Sequence, residues 1–119
     1  MLFIYGNALE VLNNPDFQKT VEQICFQYVR FDNIVHASNL VKLKKFQKLK
    51  RLVFLDNFLH SFIQISKLES LPYLSSLAVE NNTVANTILC RTFIVYRFPN
   101  ITEINAKAVS ESDKHKVRT

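Results

Sequence analysis

Glycine is almost absent from this sequence: Gly6 is the only one in 119 residues. Phosphate-cradling loops, dinucleotide fingerprints and nucleophile elbows all need glycines where backbone approaches a ligand or takes a positive φ. None of those motifs can be built here. Cysteine occurs twice, at Cys25 and Cys90, far apart and among apolar neighbours. That excludes paired metal-ligand spacing and points to buried free thiols, a habit of cytosolic proteins. No apolar run reaches the roughly 20 residues needed to cross a bilayer, and no basic start leads into an apolar run as in a signal peptide. No membrane role and no cofactor is expected. What is present is the balance of a folded globular protein, 48% apolar and 21% charged. A chain of this length forms one domain, 1–119, and buries about two thirds of its unfolded surface without a metal or disulfide staple. The net charge of +5 favours an acidic partner.

A repeat emerges when the chain is aligned on Asn7, Asn33, Asn57 and Asn82, spaced 26, 24 and 25 residues apart. Five positions before each stand Leu2, Tyr28, Leu52 and Leu77, and two after each stand Leu9, Val35, Leu59 and Val84. Three before stand Ile4, Arg30, Phe54 and Val79, with Arg30 the misfit. The clearest copies are Leu49-x-x-Leu52-x-Phe54-x-x-Asn57-x-Leu59 and Leu74-x-x-Leu77-x-Val79-x-x-Asn82-x-Val84. Alternating apolar residues make a short strand with one face buried. A buried asparagine can then serve the backbone of the following turn with both amide donors and its carbonyl. Stacked copies would form an asparagine ladder of Asn7, Asn33, Asn57 and Asn82.

These copies resemble the leucine-rich-repeat family, whose consensus is L-x-x-L-x-L-x-x-N-x-L with a period of about 20–29 residues. The segments between strands carry helical signals. Asn14-Pro15-Asp16 is a helix start, followed by Phe17, Val21 and Ile24 at helical spacing. A second helix is expected from Ser38 with Leu40, Leu43 and Phe46 inward, and a third, shorter one with Ile63, Ile65, Leu68 and Leu71 before Pro72. The fold class is therefore α/β: a solenoid of about four and a half repeats, with short parallel strands on the concave face and helices or helical turns on the convex face. Towards the C-terminus, Leu89-x-Arg91-x-x-Ile94-x-Tyr96-Arg97-x-Pro99-x-Ile101-x-x-Ile104-Asn105-x-x-x-Val109 resembles the cap of the protein-phosphatase-regulator-like (SDS22-like) subfamily. Cys90, Phe98 and Asn105 depart from that cap's usual tyrosine, leucine and aspartate. A solenoid needs a cap because its last repeat otherwise exposes an apolar edge. The expected division is repeats over 1–85, a cap over 86–110 with a helix at 86–98 and a strand at 101–105, and a frayed polar tail over 111–119. The first repeat starts mid-pattern at Leu2, so a fragment or C-terminal module of a larger protein is expected.

Catalysis finds no support: His36, His60 and His115 fall on two turns and the tail, and no nucleophile stands beside a base in any motif. Asp56 and Glu80, one repeat apart, read as a solvated acidic spot. The strands offer a binding lead instead. Residues between the buried positions point to the concave face, which gives Phe3, Tyr5, Val29, Phe31, Val53, Leu55, Ala78 and Glu80. Only Glu80 among them is charged, and an exposed apolar stripe with aromatic anchors marks a protein interface. A helix or extended peptide is the expected occupant; the alternatives are cover by another part of a parent protein and a register off by one around Arg30. The second lead is Lys42, Lys44, Lys45, Lys48, Lys50 and Arg51, six positive charges with no acid among them, against a net +5 for the chain. Leu43, Phe46 and Leu49 interleave as the buried face. Such a run is commonly just solvated, but it would suit an acidic protein tail such as tubulin's, or nucleic acid as the weaker alternative because no base-stacking aromatics interleave. The family resemblance implies a non-catalytic scaffold. The expected setting is the cytoplasm with its cytoskeleton, cilium or centrosome, or the nucleus. Alternatives are a spliceosomal component and a phosphatase-regulatory subunit.

Overall fold

The computed structural model describes residues 1–71 and 73–118. Its spine is a sheet of short strands stacked in sequence order: β1 (Leu2–Tyr5), β2 (Gln23–Gln27), β3 (Arg51–Leu55), β4 (Ser76–Ala78), β5 (Glu103–Ile104) and β6 (Lys107–Ala108). The first five run parallel and β6 turns back against β5. Between them lie helices α1 (Pro15–Thr20), α2 (Phe31–Ile34), α3 (Ala37–Lys44), α4 (Phe62–Ser66) and α5 (Cys90–Arg97), with 3-10 turns at Ala8–Asn13, Lys67–Ser70 and Thr83–Asn86. A last helix, α6 (Glu111–Arg118), closes the described chain. The molecule is elongated, 43 × 25 × 23 Å, as a stack of repeats must be. No described helix is long and apolar enough to cross a membrane.

The buried face of the sheet follows from alternation. Leu2, Ile24, Leu52, Leu77 and Ile104 pair in one row across five strands. Ile4, Phe26 and Phe54 pair in the next. Phe54 stacks on Phe26 at 5.6 Å between centroids and meets the edge of Phe31 at 5.2 Å. On the helical side, Asn14 accepts from the amides of Asp16 and Phe17 and so starts α1 at the expected Asn-Pro-Asp signal. Ser61 and Gln64 form a capping box that starts α4. The side chain of Leu43 in α3, and Phe46 and Leu49 beyond it, are buried as the periodicity predicts. Pro72, expected to end the third helix, lies outside the described residues.

Register in the second repeat differs from expectation. The strand is Gln23–Gln27, not the stretch around Tyr28–Arg30. Ile24 takes the leucine position that Tyr28 was expected to fill, and it is a strand residue, not the last inward residue of the first helix. Five residues on, Val29 stands where Asn57 and Asn82 stand in later repeats. The step from Leu2 to Ile24 is 22 residues and from Ile24 to Leu52 is 28. Near-even asparagine spacing concealed those uneven repeats. Arg30, the misfit, is exposed just before α2.

The ladder is accordingly shorter than expected. Asn57 Nδ2 donates to the carbonyls of Phe26 (3.2 Å) and Val29 (2.8 Å). Asn82 Nδ2 donates to those of Phe54, Val79 and Glu80 at 2.9–3.2 Å, while its Oδ1 accepts from the amides of Asn57 (2.8 Å) and Leu59 (3.3 Å). Asn105 extends the series by accepting from the amide of Val79 at 2.9 Å. Asn33 is exposed on α2 and Asn7 is exposed beside the edge strand β1, so neither joins. Among the described residues no donor reaches Asn57 Oδ1, because the amide of Phe31 bonds to the main-chain carbonyl of Asn57 instead.

The helix expected at 86–98 spans Cys90–Arg97 and the strand expected at 101–105 spans Glu103–Ile104, while the polar stretch after them is not a frayed tail. Residues 111–118 form α6, and Thr119 lies outside the described residues. Ser110 and Asp113 cap each other reciprocally: the amide of Asp113 donates to Ser110 Oγ and the amide of Ser110 to Asp113 Oδ2. Arg91 on α5 then holds the Asp113 carboxylate through Nε (3.1 Å) and Nη2 (2.9 Å), and also donates to the carbonyls of Ile104 and Ala108. Those bonds, from Arg91 first and Ser110 second, hold the Asp113 carboxyl well below the usual carboxylate range.

Asn82→Ala strips several buried partners at once and is expected to cost about 3 kcal/mol in urea unfolding, whereas Asn33→Ala changes stability by less than about 0.5 kcal/mol. Equal losses at the two positions would contradict the revised register.

Candidate interaction surfaces

Side chains opposite the buried rows line the concave face in three rows. Gln23, Arg51, Ser76 and Glu103 pair at the rim where the strands begin. This row is polar: Arg51 Nε lies 4.0 Å from a Glu103 oxygen, and Ser76 Oγ donates to the same oxygen at 2.8 Å. The middle row is Phe3, Cys25, Val53 and Ala78. Cys25, Val53 and Ala78 pack into a small apolar cluster with Leu55 beside them. The third row is Tyr5, Gln27 and Leu55. Phe3 and Tyr5 are 55% and 53% exposed, with rings stacked 6.3 Å apart. The face is thus an apolar floor with an aromatic end on β1 and a polar border.

Of the residues expected there, Phe3, Tyr5, Val53, Leu55 and Ala78 are in place, and Glu80 is exposed just beyond β4. Val29 and Phe31 are not. Both are buried in the main core, Phe31 against Phe54, because β2 starts earlier in the chain. Cys25 and Gln27 hold the places assigned to them. The alternation Ile24-Cys25-Phe26, matching Leu52-Val53-Phe54, carried that signal. Burial pushes the thiols of Cys25 and Cys90 up, with Arg51 partly offsetting this for Cys25, so neither is an activated nucleophile.

The rim where the strands end bends sharply. The residue four beyond each leading apolar position is left-handed: Gly6 (φ 57°), Tyr28 (58°), Asp56 (55°) and Asn81 (57°). Amides there reach sideways, Gly6 to the carbonyl of Gln27 and Tyr28 to that of Leu55. Glycine, aspartate and asparagine tolerate this geometry, but a bulky Tyr28 is strained. Tyr28 and Phe58 are exposed around a hollow of about 360 Å³ that also includes Asp56 and His60, and the Arg30 guanidinium lies 5.0 Å from the Phe58 ring centre.

The residues of the expected basic patch meet different partners. Arg51 belongs to the concave polar row. Lys50 lies 3.7 Å from the Glu22 carboxylate at the strand-start rim, and Lys42 Nζ reaches Asn39 Oδ1 at 3.5 Å. Lys44, Lys45 and Lys48 remain exposed at the end of α3 and in the loop after it. His36 caps α3 weakly through Nδ1, and His60 and His115 are exposed. Among the described residues no three His, Cys, Asp or Glu side chains group as metal ligands.

No protein-family model matches the sequence, and no curated protein matches it. The fold does match solved structures. The leucine-rich-repeat domain of Mex67 from Chaetomium thermophilum superposes with a TM-score of 0.64 at 15% identity, covering 94% of this chain and 81% of that one. A structure of Chaetomium Mex67:Mtr2 subunits gives 0.63 at 16% identity, with 94% and 75% covered. The Drosophila melanogaster SNF/U2A' complex gives 0.62 at 12% identity, with 82% and 53% covered. The architecture is a leucine-rich-repeat solenoid.

Left-handed strain at the strand-end rim has two opposite consequences. Gly6→Ala is expected to cost about 1 kcal/mol although a Cβ there meets nothing within 4 Å, and Tyr28→Asn is expected to gain about 0.5–1 kcal/mol. Urea midpoints that move the same way in both variants would contradict this.

Proposed function

We propose that this chain is a non-catalytic protein-binding module whose concave face takes a helix or extended peptide of a partner. The observation that carries the reading is the pair Phe3 and Tyr5, half exposed and stacked on each other, continuing into the apolar floor of Cys25, Val53 and Ala78. Rigid aromatic side chains beside an apolar floor and a polar border have the composition of an interface core with its rim. The polar row supplies hydrogen-bonding groups at one border, with Gln23 and Ser76 half-buried. Two of the similar structures are of protein assemblies, Mex67:Mtr2 and SNF/U2A', which agrees with the reading at the level of the fold.

Membership of the SDS22-like subfamily is supported by the cap residues Arg91, Ile94, Tyr96 and Arg97, with Arg91 tying α5 to the end of the sheet. A place in a larger protein, and a cytoplasmic, cytoskeletal or ciliary setting, extend the same resemblance. A tubulin tail as partner would draw on the exposed lysines.

A photo-crosslinking residue at Tyr5 is expected to capture a protein partner in cell extract, and Phe3→Ser with Leu55→Ser is expected to reduce capture at least about tenfold with an unchanged circular dichroism spectrum. Undiminished capture by a folded double variant would contradict the concave-face assignment.

A further inference from the structure

Beyond the concave face, we infer that the strand-start rim carries a second docking site, for an acidic peptide segment that bears one large apolar side chain. Two independent features meet there. The first is a hollow of about 210 Å³ between successive repeats. Leu43, Phe46 and Leu49 of one repeat and Leu71 and Leu74 of the next form its walls, with Lys44 and the 80% exposed Tyr73 also lining it. An apolar cavity of about 150 Å³ is enough to hold benzene, so this one has room for a phenylalanine or leucine side chain. The walls are apolar, with Lys44, Ser70 and Tyr73 completing the lining, so a partner's apolar side chain gains burial there.

The second feature is charge. Lys44 lines the hollow, and Lys45 and Lys48 follow on the loop between Lys44 and β3. Carboxylates from neighbouring segments are already engaged: Glu22 faces Lys50, and Glu69, next to Ser70 of the lining, pairs with Arg97. Among the described residues, Lys44, Lys45 and Lys48 make no ion pair. Lys44 in the last turn of α3 and Lys45 at its C-cap both favour the helix dipole, whereas Lys48 lies past the helix end and gains little from it. Lys44 in the lining, with Lys45 and Lys48 next in the chain to the lining residues Phe46 and Leu49, complements carboxylates close to an apolar anchor. The cations speed encounter and fix orientation, and the anchor supplies most of the affinity. Single-stranded RNA would also meet the lysines, but of the lining only the Tyr73 ring is exposed to stack on a base, and the hollow suits a flexible side chain better.

The test is fluorescence anisotropy with a labelled peptide in which one phenylalanine stands among aspartates and glutamates. Saturable binding is expected that weakens with added salt. It is expected to fall about tenfold when the phenylalanine is replaced by glycine, and about tenfold again for Lys44→Glu with Lys48→Glu, a variant whose circular dichroism should match the parent. Phe3→Ser with Leu55→Ser should leave this binding unchanged, which separates it from the concave-face reading. Absent binding, indifference to the anchor or to charge reversal, loss in the concave-face variant, or tighter binding of polyuridylate RNA would each overturn the proposal.

Discussion

Each repeat must turn out of a buried strand without stranding the amides and carbonyls of the turn, since an unpaired buried polar group costs as much as several good contacts return. Asn82 meets that demand for two repeats at once. Its amide nitrogen serves carbonyls of its own turn and of the preceding strand, and its oxygen serves two amides of the preceding turn. Asn57 and Asn105 do part of the same work on either side. Because these side chains reach between repeats, they fix the offset of one strand against the next. Everything else on the sheet inherits that offset.

The concave face is one consequence. With β1 to β4 in register, the outward side chains fall into rows, and the character of each row follows from which residues occupy equivalent positions. A polar row, an apolar row and an aromatic-tipped row therefore stand side by side. A slip of one residue in any strand would exchange its core and surface side chains. The strand-start rim is a second consequence, since lining up the strands also lines up the loops that feed them. That places Lys44, Phe46 and Leu49 beside Leu71, Tyr73 and Leu74 of the loop before β4, with the hollow between them. At the far end Arg91 gathers α5, the last strands and α6 around one guanidinium.

Much of this was legible in the sequence, and the failures have physical causes. Repeats three and four were read at the right positions because Leu52-x-Phe54 and Leu77-x-Val79 each stand a fixed distance before a buried asparagine. In repeat two that marker is absent, since Val29 fills the position, and Asn33, four residues later on α2, offered a false anchor. Aligning on the asparagine displaced the strand and moved Val29 and Phe31 from the core to the concave face. The alternation of Ile24 and Phe26 was present but blended into the preceding helical pattern. Burial periodicity is ambiguous over so few residues. The terminal helix was missed although Ser110-x-x-Asp113 is a capping-box pattern, because a polar stretch gives no sign of a partner until Arg91 is brought to it. Surface character was the least legible part: six closely spaced charges meet different partners, Arg51 beside Glu103, Lys50 beside Glu22 and Lys42 beside Asn39, while Lys44, Lys45 and Lys48 are exposed.

The dependence of the whole arrangement on the asparagine contacts is most directly tested by amide hydrogen exchange on the native chain. The amides of Asn57, Leu59 and Val79, which donate to side-chain oxygens of the following repeats, are expected to exchange only through global unfolding, with protection matching that of β3. Exchange of these three amides at loop-like rates, while β3 stays protected, would contradict the account.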